Sequence, residues 1–181
     1  LFLSRVSPMK NLDFLLRVLF KVNTPVQLSI FGPKEDKIYW KKCIDLIDNL
    51  PANINVVVGE EVPQHQVFKI FQNHDLFISP TRGEAFGNAI IESLSFGLPV
   101  LISDKTLWKE DNFGGLEVLE LVEHLWVQKI IKWSKYNDQI IKNKREAALN
   151  YAKHDFKSNL ALKKNKELFY SVSSNNLVNK L

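Results

Sequence analysis

The scarcities of this chain bound it first. Among its 181 residues there is one cysteine, Cys43. That excludes an internal disulfide and fits a reducing compartment. Cys43 falls within the apolar spacing of a helix and is expected as a buried structural thiol. No apolar run approaches the ~18–20 residues that a membrane-spanning helix needs. The histidines His65, His74, His124 and His154 are scattered without metal-ligand spacing, and no Ser, His and Asp arrangement of a hydrolase stands out. There is no internal repeat and no low-complexity segment. The chain also lacks an initiating methionine, and its opening "LFLSR" reads as a strand already under way. The expectation is a piece of a longer protein, with no signal peptide.

What is present is an ordinary globular composition, 45% hydrophobic and 24% charged. The length suits one domain with a real core and is short for two. The net charge is +4. Much of the excess lies late, in "KNKREAALNYAKHDFKSNLALKKNK" from Lys142 to Lys166. A basic excess invites anionic partners such as phosphates, lipid headgroups or nucleic acid. A solvated helix face is the alternative.

Short apolar runs alternate with helical spacing. Strands are expected at Leu1–Ser4, Val26–Gly32, Ile54–Gly59, Asp75–Pro80 and Leu98–Ser103, with a short sixth in "LEVLEL". Helices are expected at Pro8–Val22, Asp36–Leu50, Pro63–Asn73 and Phe86–Phe96, and through the C-terminal region. The strands are nearly continuous in Val, Ile, Leu and Phe, as in a parallel sheet buried on both faces. The fold class that follows is α/β: a Rossmann-like open parallel sheet of about six strands with helices on both faces. One domain is expected over residues 1–170, with a polar tail at residues 171–181.

Ligands of such a sheet bind outside the carboxyl ends of its strands. The first of these loops, "SRVSPMKN", places Ser7-Pro8 as a helix start. Arg5 lies at the strand end and Lys10 in the expected first turn, where a cation opposes the helix dipole by about 0.3–1 kcal/mol. A phosphate between Arg5, Lys10 and the helix end would compensate. Two solvated cations are the bland alternative.

The fourth loop, "SPTRGEAFGNAIIE", holds two glutamates eight residues apart, Glu84 and Glu92. On a helical wheel, Phe86, Ala89, Ile90, Ser93, Leu94 and Gly97 share one broad side. Only Asn88, Glu92 and Ser95 form a narrow polar stripe, so Glu92 is expected to pair or to face a cleft. Gly83 is expected to permit unusual backbone angles, and Gly87 a close approach to the first helical turn. A capping role for Glu84 and a structural role for Glu92 remain open from the spacing alone. Two helix N-termini and two cations suit a diphosphate. Two carboxylates suit vicinal hydroxyls. Together these describe a nucleotide sugar.

Four ordered stretches carry a family resemblance: "LSRVSPMKN", "LSIFGPKEDKIYW", "VVVGEEVPQHQVFKIFQNHDLFISPTRGEAFGNAIIESLSFGLPVLISD" and "KTLW". Over about residues 1–155 the chain resembles the C-terminal, donor-binding half of GT-B glycosyltransferases of the group-1 retaining family, family 4. The resemblance implies that Arg5 and Lys10 neutralise the donor diphosphate and stabilise the leaving nucleoside diphosphate. Backbone amides near Phe86, Gly87 and Asn88 would touch phosphate or sugar. Glu84 would bind the transferred sugar and Glu92 the ribose hydroxyls, with Gly59 to Val62 near the nucleobase. The donor would be a UDP-, GDP- or similar nucleotide sugar, with no metal and no other cofactor.

The resemblance further implies hexosyl transfer with retention, in surface polysaccharide or glycoconjugate synthesis. A glycan or lipid-linked acceptor would bind through an N-terminal domain that this chain lacks, leaving the chain weak or inactive alone. A cytoplasmic setting is implied, with peripheral contact at the inner membrane face as an option and no nucleic-acid partner. Ser4 stands where the family has Gly, Asn88 where the nearest subgroup has His, and Leu107 where it has Pro. A glycoside-hydrolase carboxylate pair is argued against by the upstream Arg and Lys, since hydrolases need no phosphate site. A GT-B-type sugar-nucleotide epimerase and a basic, non-enzymatic interaction domain are the alternatives. Trp108 and "KEDNFGG" read as packing or as a loop over the donor, and Trp126, Ile130 and Trp133 as core or interdomain packing.

Overall fold

A computed structural model of the chain describes residues 1–158, with side chains to His154. Strands and helices run in the order β1 (Phe2–Leu3), α1 (Leu12–Phe20), β2 (Val26–Phe31), α2 (Lys37–Ile47), β3 (Ile54–Val58), α3 (Gln64–Gln72), β4 (Phe77–Ser79), α4 (Asn88–Ser95), β5 (Val100–Ser103), β6 (Leu116–Leu119), α5 (Glu123–Trp133) and α6 (Asp138–Ser158). All strand pairs are parallel, with β2 against β3 from Val26↔Ile54 to Ile30↔Val58 and β4 against β5 from Phe77↔Val100 to Ser79↔Ile102. The strands form two three-stranded sheets, β1-β2-β3 and β4-β5-β6. These meet edge to edge: Leu1 N donates to Leu76 O at 2.8 Å, and Ile78 N to Leu1 O at 2.9 Å. The spatial order is therefore β3-β2-β1-β4-β5-β6, that of a doubly wound sheet. The expected single sheet stands as two halves joined where β1 is only two residues long.

The near-continuous apolar strands are explained by two cores, one on each face. Ile78 and Leu101 point into the core formed with α1, α2 and α5. Their neighbours Phe77, Val100 and Ile102 point into the other, with α3, α4 and α6. Because successive strand residues face opposite sides, both faces demand apolar residues. Cys43 is fully buried, and burial pushes its thiol up to about 11. Trp126, Ile130 and Trp133 are buried too, with Trp126 edge-on to Phe14 at 5.6 Å.

The helix starts differ from expectation at both loops of interest. Ser7-Pro8 does not open α1. Residues 7–11 make a turn, with Lys10 N and Asn11 N donating to Ser7 O at 3.0 and 3.2 Å. Asn11 then adopts the left-handed conformation, φ 60°, which interrupts any helix through it. Lys10 is thus outside the helix and does not oppose its dipole. Likewise α4 begins at Asn88, after Gly87 at φ 73°. Phe86 precedes the helix and is 39% exposed, so it does not share the apolar side. By contrast α2 starts as read, with the Asp36 side chain accepting from Tyr39 N at 2.9 Å.

One polar network ties the helices of the first face together. Asp13 accepts from Arg17, Lys42 and the Tyr39 hydroxyl at 2.9, 2.7 and 2.6 Å. Glu123 of α5 accepts from Arg17 and Lys21 of α1 and its C-cap at 3.0 and 2.7 Å. Among the described residues no helix is long and apolar enough to cross a membrane. The expected domain end at residue 170 and the tail at 171–181 lie outside the described residues.

Candidate functional site

The chain order reverses direction at β1 and β4. From β1 it passes into α1 on one face, and from β4 into α4 on the other. The two loops therefore diverge and open a crevice at the carboxyl ends of adjacent strands, the switch point where ligands bind in open α/β sheets. A cleft of about 230 Å³ lies there. Ser4, Arg5 and Lys10 line it from the first loop, and Glu84, Gly87 and Asn88 from the second.

The fold thus gathers Arg5, Lys10, Glu84, Gly87 and Asn88 from the predicted set. Phe86, Glu92 and Val62 are not in that lining. Phe86 lends only its carbonyl to a described partner, accepting from Trp108 Nε1 at 2.9 Å. Trp108 also stacks beside Tyr151 at 6.1 Å, so this tryptophan packs against the loop that carries Glu84. Val62 packs against the second core. Glu92 sits one turn along α4, where Gln64 Nε2 donates to its Oε1 at 3.0 Å. Burial raises the Glu92 carboxyl above its ordinary value, and the Gln64 bond partly opposes this.

Lys10 and Glu84 form an ion pair across the crevice, with side chains only 17% and 21% exposed. Glu84 is further held by its backbone: its N donates to Lys105 O at 3.2 Å, and it bridges to Thr106. Arg5 is exposed, and its guanidinium makes no hydrogen bond to another described residue. At the head of α4, Ile90 N and Ile91 N both donate to Gly87 O, at 2.9 and 3.2 Å. The amides of Asn88 and Ala89 come earlier, where a helix offers no internal acceptor. Both residues line the cleft. Two cations and a helix N-terminus therefore converge on one space, which suits an anion with several oxygens.

A set of residues absent from the sequence reading holds this arrangement. Asn11 Nδ2 donates to Pro80 O at 2.9 Å, and Arg82 Nε donates to Asn11 Oδ1 at 3.1 Å. Met9 O accepts from Arg82 N at 2.8 Å and from Thr81 Oγ1 at 3.1 Å. The first and fourth loops are thereby laced together. Asn11 offered one sequence signal, since Asn tolerates the left-handed region after a turn. Thr81 and Arg82 offered none.

Beside the cleft, glycine freedom is needed at Gly32 and Gly87. At Gly32, with φ 130°, a Cβ would stand 2.1 Å from Ser4 O. At Gly87 it would stand 2.7 Å from Ile90 Cδ1 and 3.0 Å from Glu84 Cγ. Gly83, where unusual angles were expected, has no positive φ and meets only Met9 Sδ at 3.4 Å. Among the described residues no group of three or more His, Cys, Asp or Glu is placed to hold a metal ion.

The family model for glycosyl transferases group 1 matches residues 1–112. The chain belongs to the group 1 glycosyl transferases. No curated protein sequence matches it significantly. Solved structures share its fold. This glycosyltransferase chain is similar to TarM of S. aureus, with 24% identity, a TM-score of 0.73, and coverage of 92% of this chain and 34% of that one. It is similar to Anabaena HepE in complex with UDP-glucose, at 21% identity and a TM-score of 0.72, covering 96% and 48%. It is also similar to a glycosyltransferase from Rickettsia africae, at 22% identity and a TM-score of 0.75, again covering 96% and 48%. The chain thus spans between a third and a half of the length of these structures.

Proposed function

We propose that the chain is the donor-binding, C-terminal half of a GT-B glycosyltransferase of family 4, which transfers a hexosyl group from a nucleoside-diphosphate sugar with retention. The observation that carries this reading is the convergence of Arg5, Lys10, Glu84 and the head of α4 on one cleft at the switch point. Family membership and a similar fold solved with UDP-glucose support it.

In this reading Arg5 and Lys10 take the diphosphate, together with the first amides of α4. As the bond from the anomeric carbon to the diphosphate oxygen breaks, negative charge grows on the leaving group. Fixed cations and amides stabilise that charge without reorganising, and so take the place of a metal ion. The acceptor hydroxyl oxygen bonds to the anomeric carbon on the face the diphosphate leaves, and its proton passes to the departing diphosphate oxygen. Glu84 accepts from the hydroxyls of the transferred sugar, and Glu92 from those of the ribose. The stretch from Gly59 to Val62 lies toward the base. The acceptor, a glycan or lipid-linked sugar of surface polysaccharide or glycoconjugate synthesis, binds through a further domain. The setting is cytoplasmic, at or near the inner face of the membrane.

A thermal-shift panel of nucleotide sugars tests this. A UDP- or GDP-sugar is expected to raise the melting temperature, and Arg5→Ala and Glu92→Ala to abolish the rise. A normal rise in both variants overturns the site. No response to any nucleotide sugar, with salt-sensitive binding to anionic vesicles instead, overturns the function.

A further inference from the structure

The helix α3 opens at Gln64, immediately after the loop that follows β3. Its side chain leaves its own helix and reaches α4, where Nε2 donates to Glu92 Oε1 at 3.0 Å. The two residues are 28 apart in sequence, so the bond exists only because α3 and α4 lie side by side on one face of the sheet. Glu92 is four residues beyond Asn88. Positions four apart share a helix face, and Asn88 lines the cleft. Among the described residues Glu92 has no ion-pair partner, and Gln64 is the side chain that donates to it.

The chemistry of that pair is specific. A carboxylate has two acceptor oxygens, and Gln64 occupies one. The other is left for a ligand hydroxyl. A lysine or arginine at this place would neutralise the carboxylate and compete for both oxygens. A neutral amide orients it and leaves its charge available. Carboxamide donors of this kind fix the rotamer of a binding group much as outer partners fix metal ligands.

We propose that Gln64 is a positioning residue for the donor. It turns Glu92 so that the free oxygen meets the ribose hydroxyls, and it thereby sets the preference of the site for ribonucleotides over 2′-deoxyribonucleotides. This rests on the assignment of Glu92 to the ribose given above.

The test is the ratio of dissociation constants for matched pairs, UDP with 2′-deoxy-UDP and GDP with 2′-deoxy-GDP, measured by titration calorimetry. The wild-type protein is expected to prefer the ribo form by about tenfold, the scale of a hydrogen bond to a charged group. Gln64→Met keeps the length of the side chain and removes the donor. Its ratio is expected to fall below about threefold. Gln64→Lys restores a donor but neutralises the carboxylate and competes for both oxygens, so it is expected not to recover the preference. A simple structural tether would weaken both members of a pair alike and leave the ratio unchanged, and that result overturns the proposal. Glu92→Gln separates the two assignments. If it keeps the wild-type ratio, Glu92 does not read the ribose and that assignment falls, and the role of Gln64 with it. If it collapses the ratio while Gln64→Met does not, Glu92 stands and Gln64 is only a neighbour. If neither pair binds the wild-type protein, the nucleotide-sugar reading itself fails.

Discussion

Lys10 Nζ donates to Glu84 across the crevice, joining two residues 74 apart in sequence. The residue proposed for the diphosphate and the one proposed for the sugar satisfy each other. The pair neutralises both charges where each is mostly removed from water. Under the proposed assignment, a bound diphosphate would compete with Glu84 for the ammonium group. Turning Lys10 to phosphate would then release the Glu84 carboxylate for hydroxyls, coupling phosphate and sugar recognition through one ion pair.

Glu84→Gln tests that coupling. The variant frees Lys10, so a nucleoside diphosphate without sugar is expected to bind about two- to fivefold tighter, the scale of a partly exposed ion pair. The added affinity contributed by the sugar is expected to disappear. Titration calorimetry with the diphosphate and with the matching nucleotide sugar reads both. A tenfold loss of affinity for the diphosphate alone would show that Glu84 helps rather than competes.

Gly32 and Gly83 are expected to respond oppositely to alanine. At Gly32 the new methyl meets the Ser4 carbonyl, and the left-handed φ is strained for any side chain. Gly32→Ala should cost about 3 kcal/mol or more and displace the loop that carries Arg5. Gly83→Ala meets only a flexible methionine at ordinary contact distance and should stay within about 0.5 kcal/mol of wild type. Urea unfolding of both variants checks this. Equal losses would sink the distinction.

Asn11→Ala removes the donor to Pro80 O and the acceptor of Arg82, and puts alanine in a left-handed conformation. The buried carbonyl left without its partner and the backbone strain together should cost about 2–4 kcal/mol. Asn11→Gly relieves the strain but not the lost bonds, so it should be the milder change. Both should weaken donor binding, because the two loops of the site lose their connection. A variant that lost stability but kept full donor affinity would show that the lacing is structural only.

Acid should weaken the helix network around Asp13. Burial alone would raise this carboxyl, but hydrogen bonds from Lys42, Tyr39 and Arg17 outweigh it and hold it well below the ordinary range. A carboxylate whose folded value is depressed contributes stability that is present above its unfolded value, about 3.9, and is lost as pH falls below it. Glu117 behaves in the same sense: burial opposes ionisation, and Lys129 and Lys144 prevail. Melting temperature should therefore drop as pH goes from 5 toward 3, in line with the ~3.9–4.3 unfolded values of these acids. In Asp13→Asn that drop should be shallower, from a lower starting value at pH 7. An unchanged slope in the variant would remove Asp13 from the account.

The element order, the parallel sheet and the two chemically unusual loops were all legible from local pattern. Continuous apolar strands report burial on both faces, and helical spacing reports the crossovers. Those signals arise within a few residues of one another, so they need no knowledge of the fold. The left-handed Asn11 and the late starts of α1 and α4 were harder. Ser-Pro and Phe-Gly look like helix openings until one backbone angle turns the chain aside.

Other features have no local trace. The pairing of Lys10 with Glu84, the hold of Asn11 on Pro80 and the bond from Gln64 to Glu92 join residues 74, 69 and 28 apart. Nothing in either partner's neighbourhood names the other. The crossovers and the reversal at β1 and β4 bring them within reach, and that geometry belongs to the packed chain. Residue types set which chemistry the site can offer. The packing of two diverging loops over the carboxyl ends of two central strands decides which of those groups meet, because side-chain contacts depend on distance in space and not along the sequence.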